Sequence, residues 1–282
     1  MIYIIISILC SVTVAILLKL AKRYKINIVQ AVTFNYLFAM ILGIVFFKPK
    51  LSLFPVVLSP LTIILGILLP LVFWLLAGSI RKIGIARTDI AQRLSLIIPI
   101  AAAYLLFNET FSILKIAGII LGFIAIIMIL HKVSSAKGSV KDILYPIAVF
   151  IGYGVIDILF KKTAQLNVAP YTTALIFIFF IAFLVSLISI SYLILVKKEK
   201  LQLVNVLCGF ILGLFNFGNI LFYLKAHQAL NNHPSTVFAT MNMGVILGGC
   251  LVGVIIFKEK LNLFNYLGFI LAISAIILIS LS

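Results

Sequence analysis

Apolar runs of about twenty residues recur along the chain, and few architectures can accommodate them. There are ten, at approximately 2–20, 28–47, 59–80, 85–107, 112–131, 143–162, 170–196, 203–225, 233–257 and 262–281, separated by short basic or Pro- and Asn-containing segments. A run of this length crosses bilayer hydrocarbon as a helix, because without water every backbone N–H and C=O must be paired internally. In 282 residues, ten crossings leave no length for a folded soluble domain, which excludes a cytosolic enzyme. The composition agrees, at 65% hydrophobic and 10% charged residues with a mean hydropathy of +1.34. The expectation is an all-α integral membrane protein of ten transmembrane helices, multi-pass in a plasma or inner membrane. The first run has no basic residue before it and no small-residue cleavage site after it, so it reads as the first membrane helix rather than a signal peptide.

The charge is strongly basic, with 22 Lys and Arg against 6 Asp and Glu. These basic residues sit in short loops, where anionic headgroups are the usual partner, so nucleic-acid binding is not expected. The first, third, fifth, seventh and ninth connections hold fifteen of them and the even connections six, with Arg93 inside a span. The positive-inside rule places the odd loops in the cytoplasm and both termini outside.

The least apolar linker, 132–142, falls almost at the midpoint and divides the chain into 1–131 and 143–282, each with five spans. Sliding the chain on itself by 150 residues lays Phe107, Glu109, Gly118 and Ala125 on Phe257, Glu259, Gly268 and Ala275. The Ile matches carry little weight, but the chain has only three glutamates, and two of them align. The offset also lays Phe73 on Tyr223, Ser79 on Ala229 and Gly84 on Pro234. A repeat with an odd number of spans must enter the membrane in the opposite sense the second time, so the expected architecture is two inverted five-helix repeats around a central site.

Ten helices, two five-helix repeats and a Phe-x-Glu element followed nine residues after the Glu by Gly together resemble the EamA branch of the drug/metabolite transporter superfamily, over essentially the whole chain. The resemblance implies a transporter of small metabolites, often an exporter of amino acids or related compounds, with its cavity between the halves and no bound cofactor. It also implies both termini inside, opposite to the charge bias. A C-terminal reporter active on one side only distinguishes the two.

Ionisable groups within the bilayer are costly and therefore candidate functional groups. Asp157 and Lys161 in the sixth span, like Asp89 and Arg93 in the fourth, are spaced i,i+4. Each pair reads either as a self-compensating ion pair near a helix end or as working chemistry, with Asp157 coupling protons and Arg93 or Lys161 binding a substrate carboxylate or phosphate. Arg93 is the better binding candidate, since it lies deeper in its span and shortly before Pro99, which frees backbone groups. A polar and aromatic set adds Asn35, Tyr36, Trp74, Tyr153, Asn216, Asn219, Tyr223 and Asn242. Three of these, Asn216, Asn219 and Tyr223, share one face of the eighth span at i, i+3 and i+7. Such a stripe faces either a cavity or a neighbouring helix.

The remaining features read as structure. Gly118 and Gly122, Gly209 and Gly213, Gly244 and Gly248, and Gly249 and Gly253 are small-xxx-small packing seams. Glu109 and Glu259 sit near the start of the following helix, where a carboxylate caps exposed N–H groups. His131, His227 and His233 lack metal-ligand spacing and read as solvated interface residues, and Cys10, Cys208 and Cys250 are dispersed small hydrophobes. The overall reading is a secondary carrier of small organic solutes, amino acids first, working by alternating access, with a monomer compatible with two repeats in one chain. An organophosphate or nucleotide-sugar carrier and a lipid-linked-sugar flippase are the alternatives, and no catalytic constellation supports an enzyme.

Overall fold

A computed structural model describes residues 1–24, 26–49, 58–83, 85–130, 144–165, 170–256 and 262–282. The linker 132–142, His131 and Glu259 lie outside this set, as does the Asp89 side chain. The described residues form eleven helical segments: α1 (Ile2–Arg23), α2 (Ile28–Phe47), α3 (Pro60–Ile83), α4 (Ile85–Leu94), α5 (Ile97–Leu105), α6 (Ile113–Leu130), α7 (Leu144–Ala164), α8 (Tyr171–Leu195), α9 (Leu203–Ala229), α10 (Pro234–Ile255) and α11 (Leu263–Ser280). Seven are long and apolar enough to cross a membrane, and the shorter apolar stretches Ile2–Leu18, Ile90–Leu105 and Ile113–Ile129 complete ten crossings.

The fourth span, expected as one helix over 85–107, is broken into α4 and α5 by a turn at Ser95 and Leu96. Pro99 is the cause: it has no N–H to give the Ser95 carbonyl, and its ring collides with that carbonyl in a regular helix. The Ser95 oxygen instead accepts from Ile98 N at 3.0 Å, and the Ser95 hydroxyl turns back onto Gln92 O.

The packing has a two-fold pattern. Exchanging α1 to α6 with α7 to α11, α4 and α5 together answering to α10, converts α1 against α9 into α7 against α3, α2 against α9 into α8 against α3, and α1 against α10 into α7 against α4 and α5; all of these contacts are present. The pairs α2 with α8 and α6 with α11 map onto themselves. Since each half crosses five times, the repeats are inverted and this axis lies in the membrane plane.

The seams are built as membrane helices require, with backbones drawn together over small residues. A Cβ on Gly209 would lie 2.6 Å from Ala31 O, and one on Gly213 2.7 Å from Asn35 O, so α9 rests directly on the α2 backbone. Gly244 and Gly248 admit the side chains of Ile8 and Val12 of α1, whereas Gly249 has nothing within 4 Å and forms no seam itself. Polar bonds join helices where lipid cannot reach: Ser7 Oγ donates to Asn219 Oδ1 at 2.8 Å, and Ser79 and Thr88 hydroxyls meet at 2.7 Å. Large apolar side chains such as Ile188, Leu195, Ile255 and Ile270 point outward, as a lipid-facing surface demands. At the face holding the α1–α2 and α8–α9 loops, Gln30 accepts from Asn205 Nδ2 at 2.7 Å and Asn27 Nδ2 donates to Glu199 at 2.6 Å.

Candidate substrate site

The polar residues kept from lipid lie on elements of both repeats. The first repeat contributes Asn35 and Tyr36 from α2, Trp74 from α3 and Arg93 from α4. The second contributes Tyr153 and Asp157 from α7, Asn216 and Tyr223 from α9 and Asn242 from α10. At its centre the Tyr223 hydroxyl donates to Asp157 Oδ1 at 2.9 Å, and Arg93 and Asn242 lie within electrostatic reach of the same carboxylate. Tyr36 and Tyr153 lie within such reach of each other. Trp74 lies two residues beyond Val72, which packs on Gly152 beside Tyr153. The α4–α5 break opens beside this group, since Ile98 packs on Gly154 of α7, one turn before Asp157.

Several buried atoms have no hydrogen-bonding partner among the described residues: the Tyr36 hydroxyl, the Trp74 indole N–H, the Asn35 side-chain oxygen and the Thr240 hydroxyl. Buried polar atoms are almost always paired, because leaving one unpaired costs about 1–3 kcal/mol. Tyr36 is fully buried and stands against Phe179 with ring centroids 6.4 Å apart, so its hydroxyl opens to nothing but the interior of the bundle.

The expected ion pair between Asp157 and Lys161 does not form. The i,i+4 spacing permits it, but the Lys161 ammonium reaches instead to Asn231 O and Oδ1, both at 2.8 Å, and to His227 O at 3.4 Å. Those oxygens close the C-terminal end of α9, where the helix dipole and unpaired carbonyls favour a cation, so Lys161 is fully buried as a helix cap. The eighth-span stripe divides as well: Tyr223 serves Asp157, Asn216 is buried, and Asn219 is engaged by Ser7 of α1, an interhelical bond.

His227, expected to be solvated, is wholly buried with neither ring nitrogen hydrogen-bonded among the described residues, and its ring lies 4.7 Å from those of Tyr223 and Phe238. Its position four residues beyond Tyr223 continues the same helical face, which was the available signal. Glu109 does cap a helix, but the helix is α10 of the other repeat rather than α6, the next in sequence. No group of three or more His, Cys, Asp or Glu suited to a metal ion occurs among the described residues.

Two inverted repeats enclosing a shared polar site with a broken helix beside it define a membrane carrier, the class in which discontinuous helices line the binding site. The chain belongs to the EamA-like transporter family, whose model matches residues 1–131 and 141–281. It is 42% identical over 280 residues to an uncharacterized protein of Haemophilus influenzae, covering 96% of this chain and 94% of that one. One crystal structure, 14% identical, superposes on 99% of this chain and 96% of its own with a TM-score of 0.75, a likeness of fold alone.

Proposed function

We propose that this transporter carries small carboxylate-bearing metabolites, amino acids first among them, out of the cell across its plasma or inner membrane by alternating access. The reading is supported by two buried, unspent donors of the first repeat, the Tyr36 hydroxyl and the Trp74 indole N–H, and by a carboxylate of the second repeat, Asp157, within electrostatic reach of Arg93 of the first. An α-amino acid presents the complementary groups: a carboxylate for Arg93 and the two neutral donors, and an ammonium for the Asp157 and Asn242 side. Asp157 serves as the coupling acid, because a carboxylate held at mid-depth by the Tyr223 hydroxyl, with Arg93 and Asn242 in reach, can exchange a proton for a cationic passenger. The organophosphate alternative requires two cations converging on one phosphate, and Lys161 is spent on the Asn231 oxygens just beyond α9.

The test is a thermal-shift screen of purified protein against amino acids, sugar phosphates and cationic drugs. Stabilisation by amino acids that is lost in Arg93→Gln supports the proposal. Stabilisation by sugar phosphates alone replaces it with the organophosphate reading.

A further inference from the structure

The loop between α5 and α6 sends one carboxylate into the other repeat. Glu109 Oε2 accepts from the Ser235 backbone N–H at 2.8 Å, and Oε1 accepts from Ser235 Oγ at 2.7 Å. Oε1 also pairs with Lys115 Nζ at 2.8 Å, both side chains being 1% exposed, while His233 Nδ1 stands 3.9 Å away with its side chain 53% exposed at the rim. Ser235 follows Pro234 in the first turn of α10, where unpaired N–H groups and the positive end of the helix dipole favour an anion. Directly below, Val237, Phe238 and Ala239 are fully buried and seal α10 against its neighbours.

The partners of Glu109 divide by repeat. Lys115 lies on the same repeat, six residues on, whereas both Ser235 bonds cross between repeats. When repeats rock against each other, the distance from the α5–α6 loop to the start of α10 must change at this face. Short bonds to a buried carboxylate do not stretch; they are made or lost. Glu109 leaves Ser235 without becoming an isolated charge, since Lys115 belongs to its own repeat and gives up only its 3.3 Å contact with His233 Nδ1 across the repeats, and the freed N–H lies beside the exposed His233 rim, where water can reach it.

We propose that Glu109 is a positioning residue that holds this face of the transporter closed, and that its bonds to Ser235 open and re-form once per transport cycle. The inference rests on the transporter class and not on the substrate, so a failed ligand screen leaves it standing.

The chain has a single tryptophan, Trp74, which makes a built-in reporter at mid-depth. Iodide quenching of its fluorescence in proteoliposomes reads how far water penetrates. Glu109→Leu alone strands the Lys115 ammonium, so the informative variant is Glu109→Leu with Lys115→Met, which replaces the ion pair by apolar groups of similar size. The expected result is at least a twofold rise in the quenching constant for the double variant, with a melting temperature near that of the wild type, and a smaller rise for Ser235→Ala, which keeps the ion pair. Wild-type quenching in the double variant overturns the proposal and leaves Glu109 a static cap. Should the double variant fail to fold, Ser235→Ala decides: a rise supports the latch, and an unchanged constant overturns it.

Discussion

Gly118 of α6 and Gly268 of α11 pack reciprocally. A Cβ on Gly118 would lie 2.7 Å from Ile279 Cγ1, and one on Gly268 would lie 2.8 Å from Ile129 Cγ1. The two isoleucines are themselves 150 residues apart, as the glycines are, so each helix offers its glycine to the same point on the other. Ala125 and Ala275, both fully buried, complete the crossing. One duplicated stretch of sequence thus builds a seam with itself, antiparallel, on the pseudo-two-fold axis.

The two glycines are not equally replaceable. Beside Gly268 the Ile129 backbone nitrogen stands 2.9 Å from the added Cβ, whereas at Gly118 the backbone is 3.3 Å away and the nearer atoms belong to side chains. Backbone cannot rotate aside, so Gly268→Ala is expected to destabilise by about 1–3 kcal/mol through overpacking. Gly118→Ala is expected to cost less, because Ile279 can move and alanine favours the helix by roughly 1 kcal/mol over glycine. Thermal melts of the two variants in one detergent check the order.

Lys161 is expected to matter for stability and not for ligand affinity. Lys161→Met removes the cation that satisfies Asn231 and the end of α9. Stranding buried acceptors of a charge-assisted set costs about 1–3 kcal/mol, which a lowered melting temperature reports. An unchanged ligand-induced thermal shift in the same variant separates this role from binding, whereas loss of that shift at an unchanged melting temperature returns Lys161 to the binding site.

Arg93 is expected to behave the opposite way. Arg93→Gln removes one charge-assisted contact to a substrate carboxylate, worth about 1.5–3 kcal/mol or roughly ten- to a hundredfold in affinity. Counterflow of a bound amino acid in proteoliposomes measures it as a raised half-saturation concentration. A normal half-saturation with reduced maximal rate contradicts direct binding.

The crossings were legible because bilayer thickness sets a length that composition alone reveals. The span expected at 28–47 matches α2, and most other boundaries differ by three residues or fewer. The fourth span was the exception: Pro99 was visible, but where the helix would give way depended on Ser95 turning its hydroxyl back to Gln92. Side-chain partners were less legible than helices. Nothing in the i,i+4 spacing of Asp157 and Lys161 discloses that α9 ends beside Lys161, where His227 O and the two Asn231 oxygens take the ammonium instead of the acid. Likewise the duplicated glutamate announced a cap, but the helix it caps lies about 125 residues downstream and is brought close only by the inversion of the repeats.

The last test concerns Asp157 and the hydrogen bond that it accepts from Tyr223. If Asp157 carries the coupling proton, Asp157→Asn abolishes pH-dependent uptake in proteoliposomes and leaves substrate exchange intact, since exchange needs no net proton movement. Tyr223→Phe keeps the carboxyl group and removes only its donor, so it is expected to displace the pH profile without abolishing it. The pair of variants separates two failures. Unchanged pH dependence in Asp157→Asn rejects the coupling role outright. Loss of exchange in both variants instead makes the Tyr223–Asp157 contact a part of the binding surface, because only a group that touches the passenger, or shapes the pocket around it, is needed when no gradient is at work.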